Sequence, residues 1–181
     1  ASQIQATVGY KVLWHIANTG GIIRHPKAHY DMVRLGIGFY GVDSTGEVKH
    51  RLQKPSILKT TISQIKNLKP GATVGYGRKG VANQPMTIAT IAIGYADGFD
   101  RRFSNGNGYV MIHGQKAPVV GDVCMDMTMV DVTGLEAREG DEVVVFGEEP
   151  SIEELAKQIG TIPYEVLTNV SQRVKRVYFN E

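Results

Sequence analysis

Tyr76 stands between Gly75 and Gly77. Two residues with permissive backbones can present a phenol at a turn. A phenol has an ordinary pKa of about 10, so a base near neutral pH needs a neighbouring cation. The plainer reading is a tyrosine at a strand end whose ring fills the core. Gly94-Tyr95-Ala96-Asp97-Gly98, followed by Arg101-Arg102, is a second cluster. Asp-Gly is an ordinary turn dipeptide, but a guanidinium fork beside it also fits a carboxylate and would select anions. In Cys124-Met125-Asp126-Met127 the sulfur side chains read as packing. Asp126 stands out there, because an ionised carboxylate inside a buried strand needs a partner. Asn18-Thr19-Gly20-Gly21 and Arg34-Leu35-Gly36-Ile37-Gly38 offer a hydroxyl and glycine-rich backbone N–H groups, the donors that hold a phosphate. His15, His25, His29, His50 and His113 show no metal-ligand spacing.

These groups must be positioned by short elements. Glycine makes up 21 of 181 residues, about 12% against an average near 7%, and it punctuates apolar runs. Segments 12–16 and 33–40 read as strands, with a helix from Pro26 to Met32 between them. Residues 43–54 read as a loop or linker. Beyond Pro55, strands are expected at 57–65, 73–76, 86–93, 109–113, 117–120, 123–132 and 142–146, rich in Val, Ile and Thr. So many short strands point to an antiparallel barrel or sandwich. Ser151 and Glu154 fit a capping box, and Ile152, Leu155, Ala156 and Ile159 make one apolar face. Gly160 and Pro163 should end that helix. A last strand is expected at 173–179. The organisation is therefore the end of an α/β fold over 1–52 and a β-rich domain over 53–181.

Composition excludes several classes. Twenty basic and 18 acidic residues give a net charge of +2, too small for a surface that tracks duplex nucleic acid. No apolar run is long enough for a membrane helix. The start of the sequence lacks the basic flank and apolar block of a signal peptide. A single cysteine, Cys124, excludes an internal disulfide and a Cys-rich zinc site, and a reducing, cytoplasmic location is the expectation.

In combination the motifs resemble the C-terminal portion of the bacterial alanine racemase family. The resemblance rests on His15-Ile16-Ala17-Asn18-Thr19, Met32-Val33-Arg34-Leu35-Gly36-Ile37, Tyr40-Gly41, Gly75-Tyr76-Gly77, Gly94-Tyr95-Ala96-Asp97-Gly98, Val120-Gly121-Asp122-Val123-Cys124-Met125-Asp126, and Tyr164-Glu165 with Arg173. They run in the family's order along nearly the whole chain. The implied fold is mainly β: a C-terminal β-barrel-like domain preceded by the last βαβ segment of a truncated (β/α)8 barrel.

The resemblance also implies roles. Tyr76 is the catalytic base toward L-alanine. Arg34 hydrogen-bonds the pyridine nitrogen of pyridoxal 5′-phosphate, and it is the cation that would favour the phenolate. Thr19, the backbone of Gly36 and Ile37, and Tyr164 hold the phosphate; Thr19 stands where a serine is common. Met125 meets the substrate carboxylate through its backbone, with Asp126 beside it. Tyr95, Arg101 and Asp122 line the substrate's way in, and Asp122 departs from a pattern in which a basic residue is frequent. The implied partners are L-alanine, D-alanine and a second copy of the chain in a homodimer with a shared active site. D-alanine supply for peptidoglycan is the implied purpose.

The family's cofactor-bearing lysine lies in a Lys-Ala-Asn-Ala-Tyr-Gly-like segment, and these 181 residues contain none. A fragment without activity of its own is therefore expected. Two other readings stay open. One is a structural or dimerisation module. The other is a related barrel enzyme, either a broad-specificity racemase or a basic amino-acid decarboxylase; the family's decarboxylases place a cysteine in the catalytic position, whereas Gly75-Tyr76-Gly77 favours a racemase.

Overall fold

A computed structural model describes residues 2–179. The chain divides into two compact units, Ala1–Ser56 and Ile57–Glu181.

In the first unit, α1 spans Ser2–Val8 and α2 spans Thr19–Arg24. Single 3-10 turns follow at Pro26–Ala28, Ile37–Tyr40 and Lys49–Arg51. α2 forms across Gly20 and Gly21. Asn18 has an extended backbone, and its side-chain oxygen accepts from the Gly21 N–H at 3.0 Å, an N-cap that opens the helix. The helix expected over 26–32 is only one 3-10 turn, and Tyr30 ends it with a φ of 47°.

Segments 12–16 and 33–40, expected as strands, carry no strand among the described residues. They do lie side by side. The Asp31 N–H donates to the Trp14 carbonyl at 3.1 Å and the Arg34 N–H to the Ala17 carbonyl at 2.9 Å, a trace of parallel pairing at one common offset. Parallel strands are stable when covered on both faces, but Leu13, Ile16, Leu35 and Phe39 are exposed. The second segment also bends at Gly36-Ile37-Gly38. Gly41 closes the 3-10 turn with a φ of 79°, and a Cβ there would lie 2.1 Å from the Gln53 carbonyl oxygen.

The second unit contains β1 Leu58–Leu68, β2 Thr73–Val74, β3 Gly80–Val81, β4 Met86–Ile91, β5 Tyr109–Ile112, β6 Gln115–Pro118, β7 Thr128–Asp131 and β8 Glu142–Phe146. Six of them form one antiparallel sheet in the order β6-β5-β8-β1-β4-β7. Just past β6, Val119 bridges to Val130 of β7, and the Val120 N–H donates to Met129 at 2.8 Å. The two edges thus meet and the sheet curls into a barrel, which leaves few open edges. The long β1 changes partner midway: Leu58 to Thr61 pair with β8, and Ile62 onward pairs with β4. Ser63 is the extra residue at that change, and its hydroxyl donates to the Thr90 carbonyl at 3.0 Å. Such a bulge bends a strand. Ile62, Ile91, Val110, Ile112, Val119, Val130 and Val143 fill the interior.

Several expected strands are shorter than the apolar runs that suggested them. Segment 123–132 is a strand only from Thr128 to Asp131, and the residues before it form a loop. His113 (φ 49°) and Gly114 (φ 73°) form the two-residue turn between β5 and β6, so His113 is not a strand residue. β2 stops at Val74 and pairs only with β3, in a ribbon apart from the barrel sheet.

α3 spans Ile152–Gln158 and α4 spans Pro163–Thr168. Ser151 caps α3 through the Glu154 N–H at 3.2 Å. Glu154 instead takes the Tyr109 hydroxyl at 2.6 Å, so half of the capping box is spent on a barrel tyrosine. Pro163, read as a terminator, occupies the first turn of α4, where its missing N–H is harmless. Segment 173–179 is not a strand. Arg176 folds back onto the carbonyls of Val170, Ser171 and Val174, which turns the chain. Among the described residues no helix is long and apolar enough to cross a membrane.

Candidate active site

Tyr76 sits on the 3-10 turn Tyr76–Arg78 that joins β2 to β3. Gly75 and Gly77 both take positive φ, 76° and 68°, which lifts the phenol off the ribbon. The side chain is 79% exposed, and no described residue bonds its hydroxyl, so the core-filling reading does not hold. The ribbon packs on the Gly121-Asp122 segment: a Cβ on Gly75 would lie 3.7 Å from the Asp122 nitrogen, and one on Gly121 would lie 3.0 Å from the Val74 carbonyl oxygen.

The Gly94–Gly98 turn lies against the 124–126 loop. The Tyr95 N–H donates to the Cys124 carbonyl at 2.9 Å and the Ala96 N–H to the Met125 carbonyl at 3.0 Å. The Cys124 N–H is itself taken by Met127 at 3.0 Å. Among the described bonds this leaves the Met125 N–H as an open donor beside Tyr95. Cys124 packs with Val74, Ile88 and Met129, as a buried thiol should. Met125 does not pack; its side chain is 53% exposed.

Asp126 lies in the loop before β7, half-exposed, and not inside a buried strand. Its partner is Arg173, whose guanidinium reaches Asp126 at 2.5 Å and Asp97 at 2.7 Å. Asp97 in turn accepts the Gly94 N–H at 2.9 Å. One arginine therefore clasps both loops, and the two carboxylates raise its pKa further above the ordinary value.

Asp122 is buried at 7% exposure. Its carboxylate meets the Lys79 ammonium at 3.0 Å, the Asn105 amide at 2.9 Å and the Arg101 guanidinium at 3.4 Å. The Lys79 and Asn105 hydrogen bonds hold its pKa below the ordinary aspartate value against the opposing effect of burial. Arg101 and Tyr95 also line a shallow cleft of about 340 Å³ with Gly98, Asp100 and Asn169. Tyr164 is on the first turn of α4, exposed at one side. The neighbouring Glu165 receives Arg102 at 3.1 Å and the Thr161 hydroxyl.

In the first unit, Thr19 is 4% exposed, and its hydroxyl oxygen accepts the N–H groups of Gly36 at 3.0 Å and Gly38 at 3.3 Å. Backbone donors thus converge on one oxygen. A Cβ on Gly38 would strike the Thr19 methyl at 2.7 Å, so the missing side chain lets the turn close onto Thr19. Arg34 holds the Ala17 carbonyl through its backbone at 2.9 Å and the Ile16 carbonyl through its guanidinium at 3.3 Å. Ile37 opens the 3-10 turn beside them.

Residues 56–178 match the family model for the alanine racemase C-terminal domain, which is more than half of the chain. The chain belongs to the alanine racemase family. Residues 1–44 match the model for the alanine racemase N-terminal domain. Curated alanine racemases include "Alanine racemase 2" of Caldanaerobacter subterraneus, 44% identical over 173 residues, covering 92% of this chain and 44% of the relative. The alanine racemase of Desulfosudis oleivorans is 40% identical over 174 residues, with the same coverage of each. The chain thus spans less than half the length of these relatives. Among solved structures, the alanine racemase of Streptomyces coelicolor superposes with a TM-score of 0.89 at 34% identity, covering 99% of this chain and 49% of that one. That of Bartonella henselae, described as carrying covalently bound pyridoxal phosphate, gives 0.87 at 35% identity, covering 98% and 50%. The fold is accordingly the alanine racemase C-terminal barrel preceded by the end of the family's (β/α)8 barrel.

The loops of this alanine racemase family member thus bring Tyr95, Met125 and Asp126 together, and set Tyr76 and Arg101 around Asp122. Thr19, Arg34, Gly36 and Ile37 form a second cluster within the first unit. Two side chains escaped notice from sequence as parts of the site. Lys79 follows Tyr76 closely enough to have been tested as its neighbour. Asp97 read as a turn residue, and nothing local signals that a residue as distant as Arg173 would grip it.

Proposed function

We propose that this chain is the C-terminal part of an alanine racemase that interconverts L- and D-alanine with pyridoxal 5′-phosphate. The observation that carries the reading is the exposed Tyr76 phenol, bonded by no described residue, on a turn packed against Asp122, in the same unit as a Met125 N–H that is open among the described bonds. A structural module has no use for a phenol presented in this way to solvent.

The first unit fits the cofactor's phosphate. A phosphate is an acceptor, and the Thr19 hydroxyl with the backbone of Gly36 and Ile37 is the donor set that would hold it; the Gly36 and Gly38 N–H groups, which donate to the Thr19 oxygen here, would turn to the phosphate when it binds. Ile37 follows Gly36 in the same turn, and in this reading Tyr164 is a further phosphate ligand. Arg34 would serve the ring nitrogen. An arginine donates and does not give up its proton, so that nitrogen stays an acceptor.

When bound, the cofactor supplies a sink for the negative charge left at the α-carbon. The chain's own residues do the rest. Tyr76 takes the α-proton from L-alanine and returns it in the reverse direction. The Met125 N–H receives the substrate carboxylate, with Asp126 held beside it by Arg173. Tyr95 and Arg101 flank the way in, where a guanidinium selects a carboxylate. The second proton carrier, on the opposite face, is the family's lysine.

The functional enzyme is a cytoplasmic homodimer in this reading, and Tyr76, Met125 and Asp126 serve the cofactor held by the other chain. The exposed side chains of Tyr76, Tyr95, Met125 and Met127 support it, because they give the barrel unit a partly apolar surface suited to docking over a barrel mouth. Chiral chromatography of alanine incubated with the full-length parent and pyridoxal phosphate tests the function. Interconversion in both directions is expected. Racemisation of other amino acids but not alanine, or release of carbon dioxide, would replace this reading with one of the related barrel enzymes.

A further inference from the structure

We infer that Asp122 and Lys79 are positioning residues for Tyr76: the buried Asp122 carboxylate anchors the Tyr76 turn to the barrel through Lys79. The inference rests on the reading of Tyr76 as a proton carrier and deepens it.

The turn cannot hold its own shape. Gly75, Gly77 and Arg78 all take positive φ, the ribbon beneath has only two residue pairs, and neither Gly77 within the turn nor Gly75 before it has a side chain. Arg78 reaches Thr73 at 3.1 Å, but that bond stays within the ribbon. Val74 roots one side of the ribbon in the barrel core, and on the far side of the turn Lys79, three residues beyond Tyr76, makes the side-chain link to a fixed point. Asp122 is that point. Its carboxylate is buried and held by Asn105 at 2.9 Å and Arg101 at 3.4 Å before Lys79 is counted. Three segments therefore meet on one carboxylate: the Tyr76 turn through Lys79, the Arg101 turn that follows Tyr95, and the Asn105 loop. A cation at position 122 could not gather these three donors, so Asp122 and Lys79 act as a matched pair.

The experiment uses the full-length holoenzyme and follows solvent deuterium entry at the α-carbon from each enantiomer separately. Tyr76 should govern exchange from L-alanine, and the lysine should govern exchange from D-alanine. Lys79→Met and Asp122→Asn are expected to slow exchange from L-alanine by about tenfold, a fraction of the roughly 100-fold that a 1 Å misplacement can cause. Exchange from D-alanine should stay within about twofold of the parent on the same basis. Lys79→Arg should restore most of the L-alanine rate, because its guanidinium still reaches a carboxylate. Normalising each rate to bound cofactor removes losses from misfolded protein, which would lower both rates together. Equal rates from both enantiomers in the two variants, whether unchanged or equally reduced, would overturn the inference. Tyr76→Phe run in parallel separates the two claims: if it does not selectively abolish exchange from L-alanine, the reading of Tyr76 is what fails.

Discussion

Gly94 approaches Cys124 so closely that a Cβ on it would lie 2.3 Å from the Cys124 carbonyl oxygen. The atoms it would meet are backbone, which cannot rotate away. That contact presses the Tyr95 turn onto the Met125 loop and permits the two backbone bonds between them. Gly94→Ala should therefore force the loops apart and destabilise the barrel unit by about 1–3 kcal/mol, the usual effect of overpacking. A lower urea midpoint in the full-length protein, with faster amide exchange at Tyr95 and Ala96, is the expected result. An unchanged midpoint would mean the loops do not meet as described.

Arg173 holds the same loops from the side. Its two guanidinium contacts, to Asp97 and Asp126, need the fork of an arginine. Arg173→Lys can satisfy one carboxylate at a time, and Arg173→Met satisfies neither. Amide exchange at Met125 and Asp126 should rise from parent to lysine to methionine variant, and KM for alanine should rise in the same order. If the two variants behaved like the parent, the clasp would have no bearing on the 124–126 loop.

Asp43 offers a pH test in the first unit. Its carboxylate accepts the Thr45 hydroxyl at 2.6 Å and the N–H groups of Thr45 and Val48 at 2.7 and 2.6 Å. Led by the Thr45 hydroxyl, these bonds hold its pKa at about 2, below the ordinary 3.8. The native state therefore favours the charged form, so the stabilisation is complete above about pH 4 and is lost as pH falls toward 2. A carbon-detected NMR titration of Asp43 should show a midpoint near 2, and Thr45→Val should move it upward. A midpoint near the ordinary value would contradict the hydrogen-bonded loop.

How far the sequence revealed this arrangement depends on where each bond partner lies. β8 was legible to the residue, Glu142–Phe146, because its apolar run is bounded by charge and glycine. The Ser151 cap and the apolar face of α3 were legible for the same local reason. Residues 12–16 and 33–40 misled, because a parallel strand needs partners that no local pattern supplies. The run 123–132 also misled: Val123 and Cys124 are buried and apolar, yet the loop between them and β7 must turn outward to set Met125 against Tyr95. Asp126 was rightly marked as needing a partner, but Arg173, far along the chain, could not be read as that partner.

The 181-residue chain by itself should not racemise alanine. It presents Tyr76, but the opposite-face lysine of the family has no counterpart segment in the sequence, and exchange of the α-proton on two faces needs two carriers. Purified chain with added pyridoxal phosphate is expected to match a buffer blank in a coupled D-alanine assay. Turnover above the blank would require a second proton carrier among these residues.

The shared-site arrangement can be tested by mixing inactive subunits. A full-length Tyr76→Phe chain keeps its lysine, and a full-length chain without the cofactor-bearing lysine keeps Tyr76. If Tyr76 serves the other chain's cofactor, a heterodimer places both defects in one site and leaves the second intact. Each heterodimer should then show about half the activity of a normal dimer, because an isologous pair has two equivalent sites. If Tyr76 serves its own chain, each site of the heterodimer carries one defect and nothing is recovered. Native mass spectrometry establishes that subunits have exchanged. Recovered L- to D-alanine turnover after confirmed exchange supports a site shared across the interface. Absence of recovery would return Tyr76 to the chain that carries it.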